Sequence, residues 1–388
     1  MLVALGIGAR TRIACAQAVW DAPPRTAATE GMNGWVATVP FATDGDPLIL
    51  LSVRVNGGPP GWWALDSGSS VCLIDRSAAH RLGLATRGTR RIQGAGRGTV
   101  GIDSVRDHVA LDFGAGFMTA CDHVAAVDLT GLTADIGRPE TGILGYDLFA
   151  RYVVEVDFAA HTLRLYDPAA YRYAGAGDTV PITFVRRQPR MTVEVRDGGR
   201  PAVARSLIVD SGSGDAVDDS LVAQSTTAPR YAVSTSGLGA SYHVVVGTLD
   251  TVRLGRFVLT AVPGVASDIG LIGNAVWGRF VCVFDYPHGR LFLEPNARYG
   301  QTFDRGPAGG LELFAAAYRR TPTVSAVRPG SAAARAGLRP GDVLLTVDGR
   351  PATDFGAERL AVLLNRAGNV YRVNVARGST RFESVLRL

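Results

Sequence analysis

Short apolar runs bounded by glycine, aspartate or proline recur along the chain, and no long stretch carries the period of an amphipathic helix. That pattern predicts strands joined by turns. Two runs, Trp62-Trp63-Ala64-Leu65 and Ser206-Leu207-Ile208-Val209, read as buried strands. Each ends on the same tetrapeptide, Asp66-Ser67-Gly68-Ser69 and Asp210-Ser211-Gly212-Ser213. The likeness continues downstream. Gly142-Ile143-Leu144-Gly145 is followed by the strand-like Arg151 to Phe158, and Gly270-Leu271-Ile272-Gly273 by Arg279 to Tyr286. Both halves close on a further strand, Thr162 to Tyr166 and Arg290 to Glu294. The tetrapeptides lie 144 residues apart and the glycine elements 128 apart, so the first half is 16 residues longer between these landmarks. The excess falls to a loop from Thr130 to Glu140.

The duplication changes the chemistry on offer. A single Asp-Ser-Gly is ordinary turn material, whereas two copies deliver two carboxylates from equivalent positions. Two carboxyl groups about 3 Å apart cannot both ionise, so they share one proton. Such a pair activates water without metal, cofactor or covalent intermediate, and neither cofactor nor metal is expected. Ser67 and Ser211 stand outside G-x-S-x-G, and no histidine is placed to partner them, which argues against a serine hydrolase. Asp215, Asp218 and Asp219 follow the second motif. They read as solvated loop residues, or else as groups that raise the pair's pKa values or favour a basic substrate. Asp157 and Asp285 read as turn residues. Each half also carries a glycine-rich segment between its landmarks, Gly94, Gly96 and Gly98 in the first and Gly237, Gly239 and nearby Tyr242 in the second. These are simple turns or mobile covering loops.

Over about residues 45–297 the chain resembles the pepsin and retropepsin aspartic proteases, on the two Asp-Ser-Gly-Ser motifs and on Ile143-Leu144-Gly145 and Leu271-Ile272-Gly273 in the same order. The resemblance implies a bilobal, mostly β fold with a pseudo-twofold axis, complete within one chain and not requiring an oligomer. It makes Asp66 and Asp210 the catalytic pair of an aspartic endopeptidase. It gives the Ser67 and Ser211 hydroxyls cross-lobe hydrogen bonds, gives Ser69 and Ser213 contacts to the outer carboxylate oxygens, and has Gly68 and Gly212 turn the backbone sharply. The glycine-rich segments become flaps, the first without the tyrosine of pepsin-like flaps. A noncatalytic peptide-binding protein with the same cleft is the alternative.

Beyond Phe303 the pattern changes. Val324 to Leu338 followed by Arg339-Pro340-Gly341-Asp342-Val343 resembles a bacterial PDZ domain. That resemblance implies an α+β domain that binds extended chain ends by strand addition. Its carboxylate loop falls near Gly310-Leu311-Glu312-Leu313, where Glu312 repels a carboxylate if it faces the groove. Leu360 to Leu364 belong to the second helix and Val370 to Val375 to a strand. The expected divisions are a leader at 1–34, lobes at 35–168 and 169–300, a linker at 301–308 and the PDZ domain at 309–388.

Composition narrows this further. The 388 residues are 47% hydrophobic and 19% charged, ample for sizeable cores, with a net charge of +5 carried wholly by arginine on the basic side. The densest basic stretch, Arg186-Arg187-Gln188-Pro189-Arg190, lacks interleaved aromatics and reads as a solvated loop, not a nucleic-acid surface. No apolar run reaches the ~18 residues of a membrane span. Leu2 to Gly8 resembles the core of a secretion signal, though without a basic start, so export is expected. Cys282 sits in an apolar run as a buried small side chain, Cys72 and Cys121 pair only if the compartment is oxidising, and no Cys/His spacing suggests zinc.

Overall fold

The computed structural model describes residues 6–7, 33–43, 48–93, 99–114, 116–130, 132, 140–238, 240–303, 309–314, 321–355, 360, 363–364 and 368–388. The molecule is mostly β. The first half builds a nine-stranded sheet in the order 86–93, 99–105, 124–127, 72–75, 140–144, 60–65, 50–55, 109–112, 118–121. The second half builds another, in the order 6–7, 231–237, 240–254, 257–265, 217–218, 271–272, 203–209, 188–196, 183–185. Within it Gly6 and Ile7, from the segment expected to be a leader, pair with Gly237 and Ser236.

A six-stranded sheet joins the halves, in the order 178–181, 290–295, 280–285, 153–157, 162–166, 35–40. At its centre Val154 pairs with Phe284 and Val156 with Cys282. The two pairs exchange under the 128-residue repeat, so the pseudo-twofold axis passes between these strands. Their inward residues, Val154, Val156, Cys282 and Phe284, join one core with Trp63, Phe149, Trp277 and Phe280, which binds both halves into a single unit. Cys282 is a free thiol in that core, and Cys72 and Cys121 form a disulfide between strands of the first half.

Only part of the basic stretch is solvated: Arg186 and Arg187 form an exposed turn, and Gln188 begins a strand. Val185 pairs with Gln188 across a two-residue hairpin turn. Arg186 and Arg187 both adopt left-handed backbone there, with φ of 52° and 67°. Tight hairpins require this, and glycine or asparagine usually supplies it. Gln188 is buried, for a reason that appears at the site.

The last sheet runs 311–314, 323–327, 343–347, 370–377, 380–387, with a short helix at Ala332–Arg335. Leu311, Val324, Leu344, Leu360, Leu364, Val373 and Val375 form its own core. A bulge between Glu312 and Leu313 shifts the register, so Leu313 pairs with Val324 but Glu312 with Ala326. Ala326 thereby leaves this core and packs on Val233, Val244 and Val265 of the second half. Among the described residues no helix is long and apolar enough to cross a membrane.

Candidate active site

Each tetrapeptide is held by its own glycine element. The Pro60–Leu65 strand runs parallel to Glu140–Leu144, and the Asp66 amide donates to the Leu144 carbonyl at 2.9 Å. In the second half Val209 pairs with Ile272, and the Asp210 amide donates to the Ile272 carbonyl at 3.0 Å. The chain then crosses beneath the loop, with the Tyr146 amide on the Ser69 carbonyl at 2.9 Å and the Asn274 amide on the Ser213 carbonyl at 2.8 Å. The crossing leaves no room for a side chain: a Cβ on Gly145 would stand 2.2 Å from the Val71 carbonyl oxygen, and one on Gly273 2.5 Å from that of Asp215.

Ser67 and Ser211 lock the two loops together. The Ser67 hydroxyl donates to the Val209 carbonyl at 2.8 Å and accepts from the Ser211 amide at 2.8 Å. Reciprocally, the Ser211 hydroxyl donates to the Leu65 carbonyl at 2.8 Å and accepts from the Ser67 amide at 2.9 Å. All four bonds cross between the halves and are buried, so they fix both loops without competition from water.

The grip brings the carboxylates together. A Cβ on Gly68 would stand 2.9 Å from Cγ of Asp210, and one on Gly212 only 2.5 Å from Cγ of Asp66. Each loop thus lies directly against the other's acid, and only glycine permits it. Both aspartates are fully buried. Burial first, and the neighbouring Asp66 second, push Asp210 well above the usual carboxylate range, against the Gly212 and Ser213 amides that favour its ionised form. The Gly212 amide donates to Asp210 Oδ1 at 2.8 Å, and Asp66 Oδ1 accepts from the Ser69 amide at 2.8 Å. The pair therefore holds a proton into a pH range where an ordinary carboxyl has lost it.

Comparison with family models matches residues 51–148 to the aspartyl protease family and residues 323–366 to the PDZ domain. The chain contains an aspartyl protease domain and a C-terminal PDZ domain. Among solved structures, basic 7S globulin from soybean is similar at 10% identity and a TM-score of 0.41, over 68% of this chain and 96% of that one. Comparison with curated proteins finds no match.

Not every expected side chain of the protease domain stands where the resemblance put it. The Ser69 hydroxyl donates to the Val71 carbonyl at 2.8 Å, so the serine reaches its aspartate through its amide instead. The Ser213 hydroxyl accepts from the Asp215 amide at 3.2 Å. In both cases the tight turn aims the hydroxyl along its own chain. Asp218 and Asp219 are buried, not solvated, and Asp219 is taken up by Arg205 Nε at 2.8 Å. Asp157 caps a turn, accepting from the amides of Ala159 and Ala160, and Asp285 is buried between Arg290 and His288.

Gly94, Gly96, Gly98 and Gly239 lie outside the described residues. Gly237 and Tyr242 belong to the ladder of the second hairpin, paired with Ala240 and Thr235. Leu238, at the tip of that hairpin, is 1% exposed and inserts into an apolar cluster of the first half that includes Leu50, Leu73, Ile92, Ile102 and Ile143. In the PDZ domain, Gly310 takes φ of 62° against Ser331, Leu311 is buried in the core, and Leu313 packs on it. Burial lifts Glu312 to about 8, so near neutral pH it carries its proton and does not repel a carboxylate.

Sequence reasoning missed three supports. The Tyr286 hydroxyl donates to the Ser67 carbonyl at 2.7 Å, Gln188 Nε2 to the Gly68 carbonyl at 3.0 Å, and Asn274 Nδ2 to the Ser211 carbonyl at 2.7 Å. Burial, opposed by the bond to Ser67 and reinforced by both aspartates, keeps the Tyr286 phenol neutral far into the alkaline range. Only Asn274 carried a signal, its place directly after Gly273.

Proposed function

We propose that the protein is an aspartic endopeptidase that hydrolyses peptide bonds through a water activated between Asp66 and Asp210. The reciprocal approach of Gly68 and Gly212 to the opposite carboxylates carries this reading, because a pair meant only to cap turns has no need of it. With one proton on the pair, the ionised carboxylate takes a proton from water as general base. The protonated partner donates a hydrogen bond to the scissile carbonyl and stabilises the oxyanion that forms on attack. Proton return to the leaving amine completes hydrolysis and restores the shared proton. The buried hydrogen bonds of Ser67 and Ser211 keep the two acids in register throughout, which is the preorganisation such electrostatic catalysis requires.

The same proposal includes the PDZ domain as a module for substrate recruitment or control of access. Among the described residues the strand Leu311–Phe314 ends its sheet, the position at which strand addition of an extended peptide takes place. The neighbouring strand Thr323–Val327 touches the hairpin whose tip holds Leu238 in the first half, through Ala326. A ligand on that strand thus lies one strand away from the hairpin whose tip reaches into the first half. Export to an oxidising compartment also belongs to this reading, supported by the Cys72–Cys121 disulfide.

Cleavage of a denatured protein substrate by the wild type, by Asp66→Asn and by Asp210→Asn tests the proposal. Loss in both variants, with retained folding, is expected; unchanged cleavage in either one leaves the peptide-binding scaffold as the better account.

A further inference from the structure

The peptidase reading leaves open which side chains the cleft accepts, and the two halves answer differently. In the first half, strand pairing aligns Ala64, Ile143 and Leu73 across three adjacent strands. All three are buried in one apolar cluster, which Leu238 completes from the opposite half. This row is therefore a receptor for an aliphatic side chain delivered from outside its own half. The same pairings in the second half align Ile208, Leu271 and Asp218. Leu271 matches Ile143, paired in parallel on one side and antiparallel on the other. Asp218 accordingly stands where the first half has Leu73.

An acid in that place is costly unless something answers it. Asp218 is 6% exposed, and its Oδ1 is buried without a hydrogen-bond partner among the described residues. Burial first, then Asp215 and Asp210, hold its proton well above the usual carboxylate range, and Asp215 is also its hydrogen-bonding neighbour. Asp219 is not part of this group, since Arg205 and the Leu221 amide occupy its two oxygens. A guanidinium or ammonium entering here supplies both the missing donor and the opposite charge.

Resting on the peptidase reading, we propose that Asp218 with Asp215 forms the subsite for a basic side chain, arginine or lysine, of the peptide substrate. It is the second half's counterpart of the aliphatic receptor that Leu238 fills in the first. The apolar receptor of the first half is taken by Leu238 of the protein itself, so the selectivity proposed here is cationic and lies in the second half.

The test uses matched fluorogenic peptides that carry arginine, the neutral isostere citrulline, or norleucine at each position flanking the scissile bond. At one position the wild type should favour arginine over citrulline by about tenfold or more in kcat/KM, as expected for a desolvated charge pair. Asp218→Asn should bring that ratio close to one. Asp218→Leu, which copies Leu73, should turn the preference toward norleucine, a gain that a misfolded protein cannot show. Equal cleavage of the arginine and citrulline peptides at every position overturns the subsite and leaves the peptidase reading standing. If none of the peptides is cleaved, the peptidase reading fails, and calorimetric binding of the same peptides decides the subsite. Tighter binding of the arginine peptide that is lost in Asp218→Asn upholds it, and equal binding overturns it.

Discussion

Around Ser67 and Ser211 the two halves are interchangeable: each hydroxyl donates to a carbonyl of the other strand and accepts from the other serine's amide. One layer outward they differ. The Ser67 carbonyl is held by the Tyr286 hydroxyl, whereas the Ser211 carbonyl is held by Asn274 Nδ2. The first half carries the disulfide, while the second contacts the PDZ domain. Leu73 and its counterpart Asp218 differ in kind altogether. Symmetry is thus kept where two carboxylates must meet, a demand that both halves satisfy with the same short motif. It is lost where each half meets a different neighbour.

The largest effects should be those that fall equally on both halves. Asp66→Asn and Asp210→Asn should each lower kcat by at least about 10²–10⁴-fold, the scale of a lost general acid or base. Gly68→Ala and Gly212→Ala should be as damaging to turnover, because the new methyl collides with the opposite carboxylate; Gly212, with the closer approach, should lose more stability in urea unfolding. Next come the hydroxyls. Ser67→Ala and Ser211→Ala each leave a buried carbonyl and amide without their hydroxyl partner and should cost about 2–6 kcal/mol, at about 1–3 kcal/mol per orphaned group. The two values should agree closely, and a clear inequality would break the symmetry of the grip.

Smaller effects should separate the halves. Tyr286→Phe strips only the first loop of its support and should cost about 1–3 kcal/mol. Its damage should appear in the Asp66 loop by amide hydrogen exchange and leave the Asp210 loop protected. The smallest effect concerns the PDZ domain. Glu312 keeps its proton in the folded state to about 8 against an ordinary 4.5 when unfolded. The folded state therefore binds more protons across that range, so this group's contribution to stability is lost as pH rises through it. Glu312→Gln should flatten that part of the stability profile, measured by urea unfolding between pH 5 and pH 8.

Much of the centre was legible in the sequence because the repeat is local. Asp, Ser and Gly in one tetrapeptide report a turn, and a second copy reports its mate. The supports were not legible, because their partners are remote. Tyr286 reaches Ser67 across 219 residues and Gln188 reaches Gly68 across 120, and neither side chain carries a local mark of its role. Gln188 was hidden further by its arginine neighbours, which give a buried strand end the composition of a solvated loop. Ser69 and Ser213 misled for the opposite reason: their position in the motif was right, but the turn sends the hydroxyl to its own chain and leaves the amide for the acid. Asp218 lies in an acid-rich run that reads as solvated, and only the strand register gives it the place that Leu73 holds in the first half.

The most direct test of the central claim is the pH dependence of kcat/KM for the wild type beside the two single aspartate variants. A shared proton on a buried pair predicts a wild-type rate that falls as pH rises through the elevated pKa of the pair. It also predicts that Asp66→Asn and Asp210→Asn stay at least about 10²-fold below the wild type at the wild-type optimum, with no other pH restoring them. Substantial cleavage by either variant would contradict the two-carboxylate mechanism.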